Sequence, residues 1–269
     1  MRVGQRPAGS LRISVIVPTL REAANLPHVL PRIPDWVDEL VLVDGHSTDG
    51  TVEVARDLRP DVKIVYQTGC GKGNALGCGL EACTGDIAVL IDADGSTDPG
   101  EMRRFVEAVA AGAQLAKGSR FLRGGGSDDI TALRRVGNGV LTRLVNLLFR
   151  TRYTDLCYGY NALRVSEVNR LSLDAQGFEI ETLMGIRAAE AGLNVVEVPS
   201  WEHSRIYGRS NLHAVSDGYR VLRTILREWT GGRTLGKGKL ARPPREVAVQ
   251  SKRTDHPAGF SGSRRGAGT

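Results

Sequence analysis

No apolar stretch in this chain approaches the roughly 20 residues that a membrane-spanning helix needs. The longest runs, Ile87 to Ile91 and the broken stretch Val140 to Phe149, suit a buried strand and an amphipathic helix. Arg2 and Arg6 are followed by no apolar core, so the N-terminus does not read as a secretory leader. Cys70, Cys78, Cys83 and Cys157 show neither CxxC spacing nor a framework of short loops. That disfavours zinc and disulfide readings and fits free thiols in a reducing cytoplasm. There is no GxxxxGK[ST] and no GxGxxG after the first strand, so neither a Walker loop nor a dinucleotide fold is indicated. Internal repeats are absent as well. Most of the chain also lacks net charge. Residues 231–269 carry nine Lys or Arg against Glu246 and Asp255, a balance of +7, so the overall +6 leaves −1 for the rest. A nucleic-acid-binding fold would carry its positive charge on the folded body. No nucleic-acid partner is expected.

What is present is an ordinary globular composition, 41% hydrophobic and 25% charged over 269 residues. Apolar runs at Ile13 to Val17, Leu40 to Val43, Val62 to Tyr66, Ile87 to Ile91 and Gln114 to Ala116 read as strands. Between them Ala23 to Ile33, Thr51 to Leu58, Gly73 to Cys83 and Glu101 to Ala111 are long enough for crossover helices. The alternation predicts an α/β fold, a mostly parallel sheet flanked by helices. Farther on, Leu133 to Phe149 and Phe178 to Glu190 read as helices, Val195 to Val198 as a strand, and Asn211 to Trp229 as a long amphipathic helix. Arg123 to Asp129 reads as a loop able to order over a substrate. The expected organisation is a flexible N-terminus (1–11), a folded unit (12–230) and a basic disordered tail (231–269).

Asp92-Ala93-Asp94 directly follows the strand ending at Ile91. Two carboxylates so spaced can approach one hard cation, and Mg²⁺ or Mn²⁺ prefers such oxygen ligands shared with substrate phosphates. A turn followed by a helix cap is the alternative use of the same residues. The motif has company, however. Asp44 ends the second strand, Pro18, Leu20 and Glu22 follow the first, Lys72 lies in GCGKGNA, and Gly118-Ser119-Arg120 ends the fifth. Polar groups at adjacent strand ends point to one crevice suited to a nucleotide.

PTLREAANL, VDGHSTDGT, GKGNAL, DADGSTDP and GSRF, in this order, resemble the family 2 glycosyltransferases of GT-A fold. The branch most similar is that of the dolichol- and polyprenol-phosphate mannosyltransferases. The resemblance covers about Ile13 to Trp229, with a donor half at 12–120 and an acceptor half at 121–230. It implies that Pro18, Leu20, Glu22, Leu42 and Asp44 contact base and ribose, with Lys72 near the base. By the same resemblance Asp92, Ala93 and Asp94 bracket the metal and diphosphate, Arg120 faces the acceptor phosphate, and Arg205 grips phosphate. RRVGN, TDLCYGYNALR, FEIE and HSRIYGRSNL resemble the acceptor side. Three positions depart from that branch. Asn211 stands where a lysine is usual, Ser96 where some members have glutamine, and Gly45-His46 where Asp-Gly is usual.

The implied activity is inverting transfer of a hexose from a nucleoside-diphosphate sugar, of GDP-mannose or UDP-glucose type, to an acceptor such as polyprenyl phosphate. A phosphate acceptor needs no base, and Arg120, Arg134 and Arg135 would position it. A hydroxyl acceptor needs a carboxylate, for which Asp155, Glu179 and Glu181 are candidates, Glu181 first. The arginines and apolar stripe of the last helix, with the basic tail, suit either a cytoplasmic membrane surface or packing on the sheet. A sugar nucleotidyltransferase and a non-catalytic donor-binding scaffold are the rival readings.

Overall fold

A computed structural model describes residues 10–231. Most of the N-terminal segment (1–9) and of the basic tail (232–269) expected above lies outside the described residues. Nine strands are present among them: β1 (Ile13–Thr19), β2 (Glu39–Asp44), β3 (Lys63–Tyr66), β4 (Ile87–Leu90), β5 (Leu115–Ser119), β6 (Gly126–Ser127), β7 (Asn161–Arg164), β8 (Val195–Pro199) and β9 (Trp201–Glu202). The helices are α1 (Leu26–Val29), α2 (Thr51–Leu58), α3 (Gly71–Ala82), α4 (Met102–Ala110), α5 (Ala132–Phe149), α6 (Val168–Leu171), α7 (Ile180–Glu190) and α8 (Ala214–Gly231). Seven strands form one sheet in the order β3-β2-β1-β4-β7-β5-β8, and β6 pairs β9 beside it.

The sheet is parallel except for β7, which runs antiparallel between β4 and β5. The sequence reading missed this strand, because Asn161 and Arg164 interrupt its short apolar run. The apolar alternation of β1 sends Val15 and Val17 to one face and Ile16 to the other. On the first face they meet α1, α2 and α4; on the second they meet α3 and α7. Strand register sets Thr19 beside Asp44 and Ile16 beside Leu90, so three parallel strands end along one rim. The side chains that follow them share that rim.

Helix α7 is buried along nearly its whole length, as a helix covered on both sides must be. The sheet covers one side, and Val145 of α5 with Val221 and Ile225 of α8 covers the other. The apolar stripe of α8 therefore has an unexpected destination. Val215, Tyr219, Leu226 and Trp229 are exposed, while Asp217, Val221, Thr224, Ile225 and Glu228 are buried. On α5, Leu133, Val136, Val140 and Leu147 are likewise exposed. The stripe of α8 does not pack on the sheet.

Candidate active site

Glycines determine how α3 presents Lys72. A Cβ at Gly71 or Gly73 would overlap the carbonyls of Gln176 and Ala175, and the Gly73 amide donates to Gln176 O at 2.8 Å. The glycines of GCGKGNA thus let the first turn of α3 press against segment 175–177. Lys72 Nζ then lies 2.6 Å from Asp92 Oδ1 and 2.9 Å from Glu181 Oε1. Gly159 backs this pair: a Cβ there would stand 2.7 Å from both Asp92 Oδ2 and Lys72 Nζ. Burial alone would lower the Lys72 pKa, but the charges of Asp92 and Glu181 outweigh it and hold the ammonium above its ordinary value. Burial pushes the Asp92 carboxyl up, Lys72 opposes it, and Asp94 and Glu181 add to it. One lysine among these acids leaves the floor negative.

The second carboxylate is held differently. Asp94 Oδ1 accepts from the Ser96 amide at 3.0 Å and the Ser96 hydroxyl at 2.7 Å. Its Oδ2 pairs with Arg205 Nη1 at 3.0 Å, and Arg205 Nη2 binds Glu22. Residues 203–208 form a strap across the strand ends. His203 N donates to Ser96 O (2.8 Å), Ile206 N to Asp94 O (3.1 Å) and Tyr207 N to Asn25 Oδ1 (2.9 Å). Gly95, with φ +82°, leaves the room that Ile206 fills. The Glu22 carboxyl is raised by burial despite its bonds to Arg205 and Asn25.

Four acids (Glu22, Asp92, Asp94, Glu181) and two bases (Lys72, Arg205) therefore share the site, an excess of two negative charges. The Arg205 guanidinium already shows that the gap between Glu22 and Asp94 stabilises a cation. The donor set, carboxylate oxygen only, fits Mg²⁺ or Mn²⁺. No group of three His, Cys, Asp or Glu among the described residues is arranged to hold a metal alone. A cation here would complete its shell with substrate phosphate and water.

The cleft above this floor has a volume of about 480 Å³. Lys72, Asp92, Asp94, Arg205 and Glu181 line its base, and Ile130, Leu133, Leu141, Leu212, Val215 and Val221 give it apolar walls between α5 and α8. Arg134 also lines it, paired with Asp129 at 2.8 Å.

Several expected residues sit elsewhere. Arg120 is buried, and all three guanidinium nitrogens are engaged: by Asp155 Oδ2 (2.7 Å), Asp155 Oδ1 (3.0 Å), both oxygens of Glu202 (3.0 and 3.2 Å) and Cys157 O (3.2 Å). It borders the cleft, but its charge and every nitrogen are already committed to buried partners rather than to an acceptor phosphate. Asp155 is fully buried; burial opposes its charge, yet the Arg120 bonds and charge hold its pKa below the usual range. A carboxylate so held is a poor proton acceptor. Arg135 faces out over the Phe121 ring and does not line the cleft. Glu179 lines a separate cavity with Arg220 and Arg223. Leu42 and Ala93 are core residues, so Leu42 is closed to a nucleotide and Ala93 can offer only backbone. Pro18 is half-buried and Leu20 46% exposed at the end of β1, Asp44 is buried at the end of β2, and exposed Asn211 lies between the cleft residues Ser210 and Leu212.

Two partners of the site escaped the sequence reading. Asn138 donates to Asp155 Oδ1 at 3.1 Å and accepts from the Cys157 amide at 3.1 Å, fixing the loop 155–157. Glu202 receives Arg120 and the Ser127 hydroxyl. Asn138 lay within RRVGN as an uninterpreted polar residue, and Glu202 stood just ahead of HSRIYGRSNL with no spacing to mark it.

Comparison with known proteins agrees with this geometry. Glycosyltransferase AglJ of Haloferax volcanii is 30% identical over 214 residues, 77% of this chain and 68% of that protein. The undecaprenyl-phosphate mannosyltransferase of Micrococcus luteus is 33% identical over 216 residues, 75% of this chain and 88% of the relative. The polyprenol monophosphomannose synthase of Mycolicibacterium smegmatis is 33% identical over 214 residues, covering 75% and 81%. Glucosyl-3-phosphoglycerate synthase from Mycobacterium tuberculosis, solved with Mn²⁺, UDP-glucose and phosphoglyceric acid, shares the fold with TM-score 0.65 at 22% identity over 84% of this chain and 86% of that one. The sequence model of Glycosyl transferase family 2 matches residues 14–171, and the chain belongs to that family.

Proposed function

We propose that the chain transfers a hexose, with inversion, from a nucleoside-diphosphate sugar of GDP-mannose or UDP-glucose type to a polyprenyl phosphate. The observation that carries this reading is a charged floor beneath apolar walls in one cleft. An acceptor with an anionic head and a hydrocarbon tail has that same division. The named relatives from Micrococcus luteus and Mycolicibacterium smegmatis support a polyprenyl acceptor.

When bound at Asp92 and Asp94, Mg²⁺ or Mn²⁺ would neutralise charge on the departing diphosphate. The chain's own residues divide the remaining work. Lys72 holds Asp92 and Glu181 in place and keeps its own charge within the site. Arg205, released from Asp94, remains tethered through Glu22 and can turn toward a phosphate group. Arg134 is the cleft arginine left to meet the acceptor phosphate. That phosphate attacks as an anion, so no proton need be removed.

A hydroxyl acceptor is the second reading, favoured by Glu181 at the cleft floor. Its carboxylate would first have to leave Lys72. Transfer from labelled donors to polyprenyl phosphate in detergent, beside 3-phosphoglycerate as a soluble acceptor, separates the two. Turnover on the soluble acceptor alone would overturn the lipid reading.

A lipid acceptor also gives the exposed stripes of α5 and α8 a purpose. No helix among the described residues is long and apolar enough to cross a membrane. Seating on the cytoplasmic face would bury exposed Val136, Leu147 and Trp229 along with the cleft residues Leu133 and Val215, with the +7 tail drawn to anionic lipid. Leu147→Asp with Val215→Asp is expected to abolish co-sedimentation with anionic vesicles; unchanged sedimentation would count against this placement.

A further inference from the structure

Four non-glycine residues have positive φ: Arg21 (59°), His46 (62°), Arg150 (56°) and Ser172 (45°). Arg150 and Ser172 cap the C-termini of α5 and α6, where the left-handed conformation is common. Arg21 and His46 have no helix end to account for them. They lie in the loops after β1 and β2, and those loops are tied together: Arg21 N donates to Ser47 Oγ at 2.9 Å, and Gly45 N to Thr19 O at 2.8 Å. Strain shared by two facing loops at a strand-end rim is typical of a ligand site.

His46 is held in this conformation from two directions. Its ring stacks on Tyr66, with centroids 5.7 Å apart and planes 12° from parallel. Its Nε2 lies 3.1 Å from Gln67 O. Tyr66 is the β3 residue in register with Asp44, so the stacked pair stands directly beside that carboxylate. Asp44 is fixed in turn by the Thr19 hydroxyl (3.3 Å) and the Ser47 amide (2.8 Å). Across Gly45 the neighbour is Leu20, whose Cδ1 would lie 3.3 Å from a Cβ at that glycine. Exposed Leu20 and the exposed His46 ring thus form a flat ledge and an apolar contact held over one buried acid.

We infer that His46, braced by Tyr66, is a contact for the nucleobase of the donor and helps determine which base is accepted. The inference rests on the nucleotide-sugar reading above and assigns a role to a residue at which this chain departs from the Asp-Gly usual in the branch it resembles. A planar base finds a stacking surface at the exposed imidazole and an apolar contact at exposed Leu20, while buried Asp44 fixes the loop that carries them.

His46→Gly separates this role from a purely structural one, because glycine adopts φ +62° without penalty. The melting temperature of the variant is expected to stay level or rise. Calorimetry with Mn²⁺ should show affinity for GDP or UDP falling about tenfold, the size of one lost stacking contact. Affinity for inorganic pyrophosphate with Mn²⁺ should not change. Tyr66→Leu, which removes the brace, should weaken nucleotide binding in the same direction. Nucleotide binding undiminished in His46→Gly would overturn the inference and leave the transferase reading intact. Parallel losses of melting temperature and pyrophosphate binding would make His46 a structural residue and also overturn it. A wild-type chain that binds neither nucleotide nor pyrophosphate would overturn both.

Discussion

Arg120 offers a direct test of which arginine meets the acceptor. The side chain is 3% exposed and makes the ion pairs to Asp155, itself fully buried, and to Glu202, with Lys117 adding a weaker favourable charge at Asp155. Replacing it by methionine keeps much of the volume but strands two carboxylates away from water. Removing one member of a buried pair typically costs about 3–5 kcal/mol, because the partner left behind is charged and unsolvated. For a domain of this size each kcal/mol moves the melting temperature by about 2–4 °C, so Arg120→Met should melt about 6–20 °C lower. Arg120→Lys should not restore stability, since an ammonium cannot span Asp155, Glu202 and the Cys157 carbonyl as the planar fork does. Adding Asp155→Asn to Arg120→Met should recover part of the loss, which a double-mutant cycle would read as coupling between the two sites. Urea and thermal unfolding of wild type, Arg120→Met, Arg120→Lys, Asp155→Asn and the double variant measure all of this. A variant that keeps the wild-type melting temperature but loses only acceptor affinity would show that Arg120 is a phosphate ligand after all, and that its cage opens in the working enzyme.

Asp94→Ala should lose most metal-dependent binding of a nucleoside diphosphate; equal affinity with and without metal in the wild type would remove the cation from the scheme. Gly159→Ala should displace the Lys72–Asp92 pair, since its Cβ would come within 2.7 Å of both groups. The neighbours that must move are side-chain ends, so nucleotide affinity should fall severalfold while the melting temperature shifts little; the reverse pattern would contradict this. The depressed pKa of Asp155 makes stability depend on pH in a defined direction. Its contribution is complete above about pH 4, the ordinary aspartate range, and is lost as pH falls through the lower folded value. Wild type should therefore lose denaturant resistance on acidification more steeply than Asp155→Asn, and superimposable profiles would refute the linkage.

The donor rim was largely legible because its signals are local. Apolar runs fix β1, β2 and β4, parallel pairing aligns their ends, and Glu22, Asp44 and Asp92 follow by simple continuation. The acceptor side resisted the same logic. Strand β7 enters the sheet from a segment bounded by Asn161 and Arg164, so it does not resemble the apolar runs beside it. Arg120 shows the limit most clearly. Its position at a strand end suggested a free cation, yet its fate is decided by Asp155 and Glu202, 35 and 82 residues away in sequence. Local pattern reports which residues reach a rim, but not which of them is already paired there.

That distinction also orders the charges of the site. Arg120 is closed by Asp155, which is fully buried, and by Glu202 at the cleft wall, and opening that cage would strand Asp155 without its ion-pair partner. Arg205 is closed by Glu22 and Asp94 on a strap tied otherwise by backbone bonds at His203 and Ile206 and by the Asn25 side chain at Tyr207, and its acids belong to a group with two negative charges in excess. In the proposed scheme a divalent cation held at Asp94 would replace the counter-charge of Arg205, and a diphosphate would give Arg205 new oxygens, so the exchange would leave no group unpaired. Of the two buried-side arginines, only the one on the strap can change partners without stranding a carboxylate, and that is the property a phosphate-gripping residue requires.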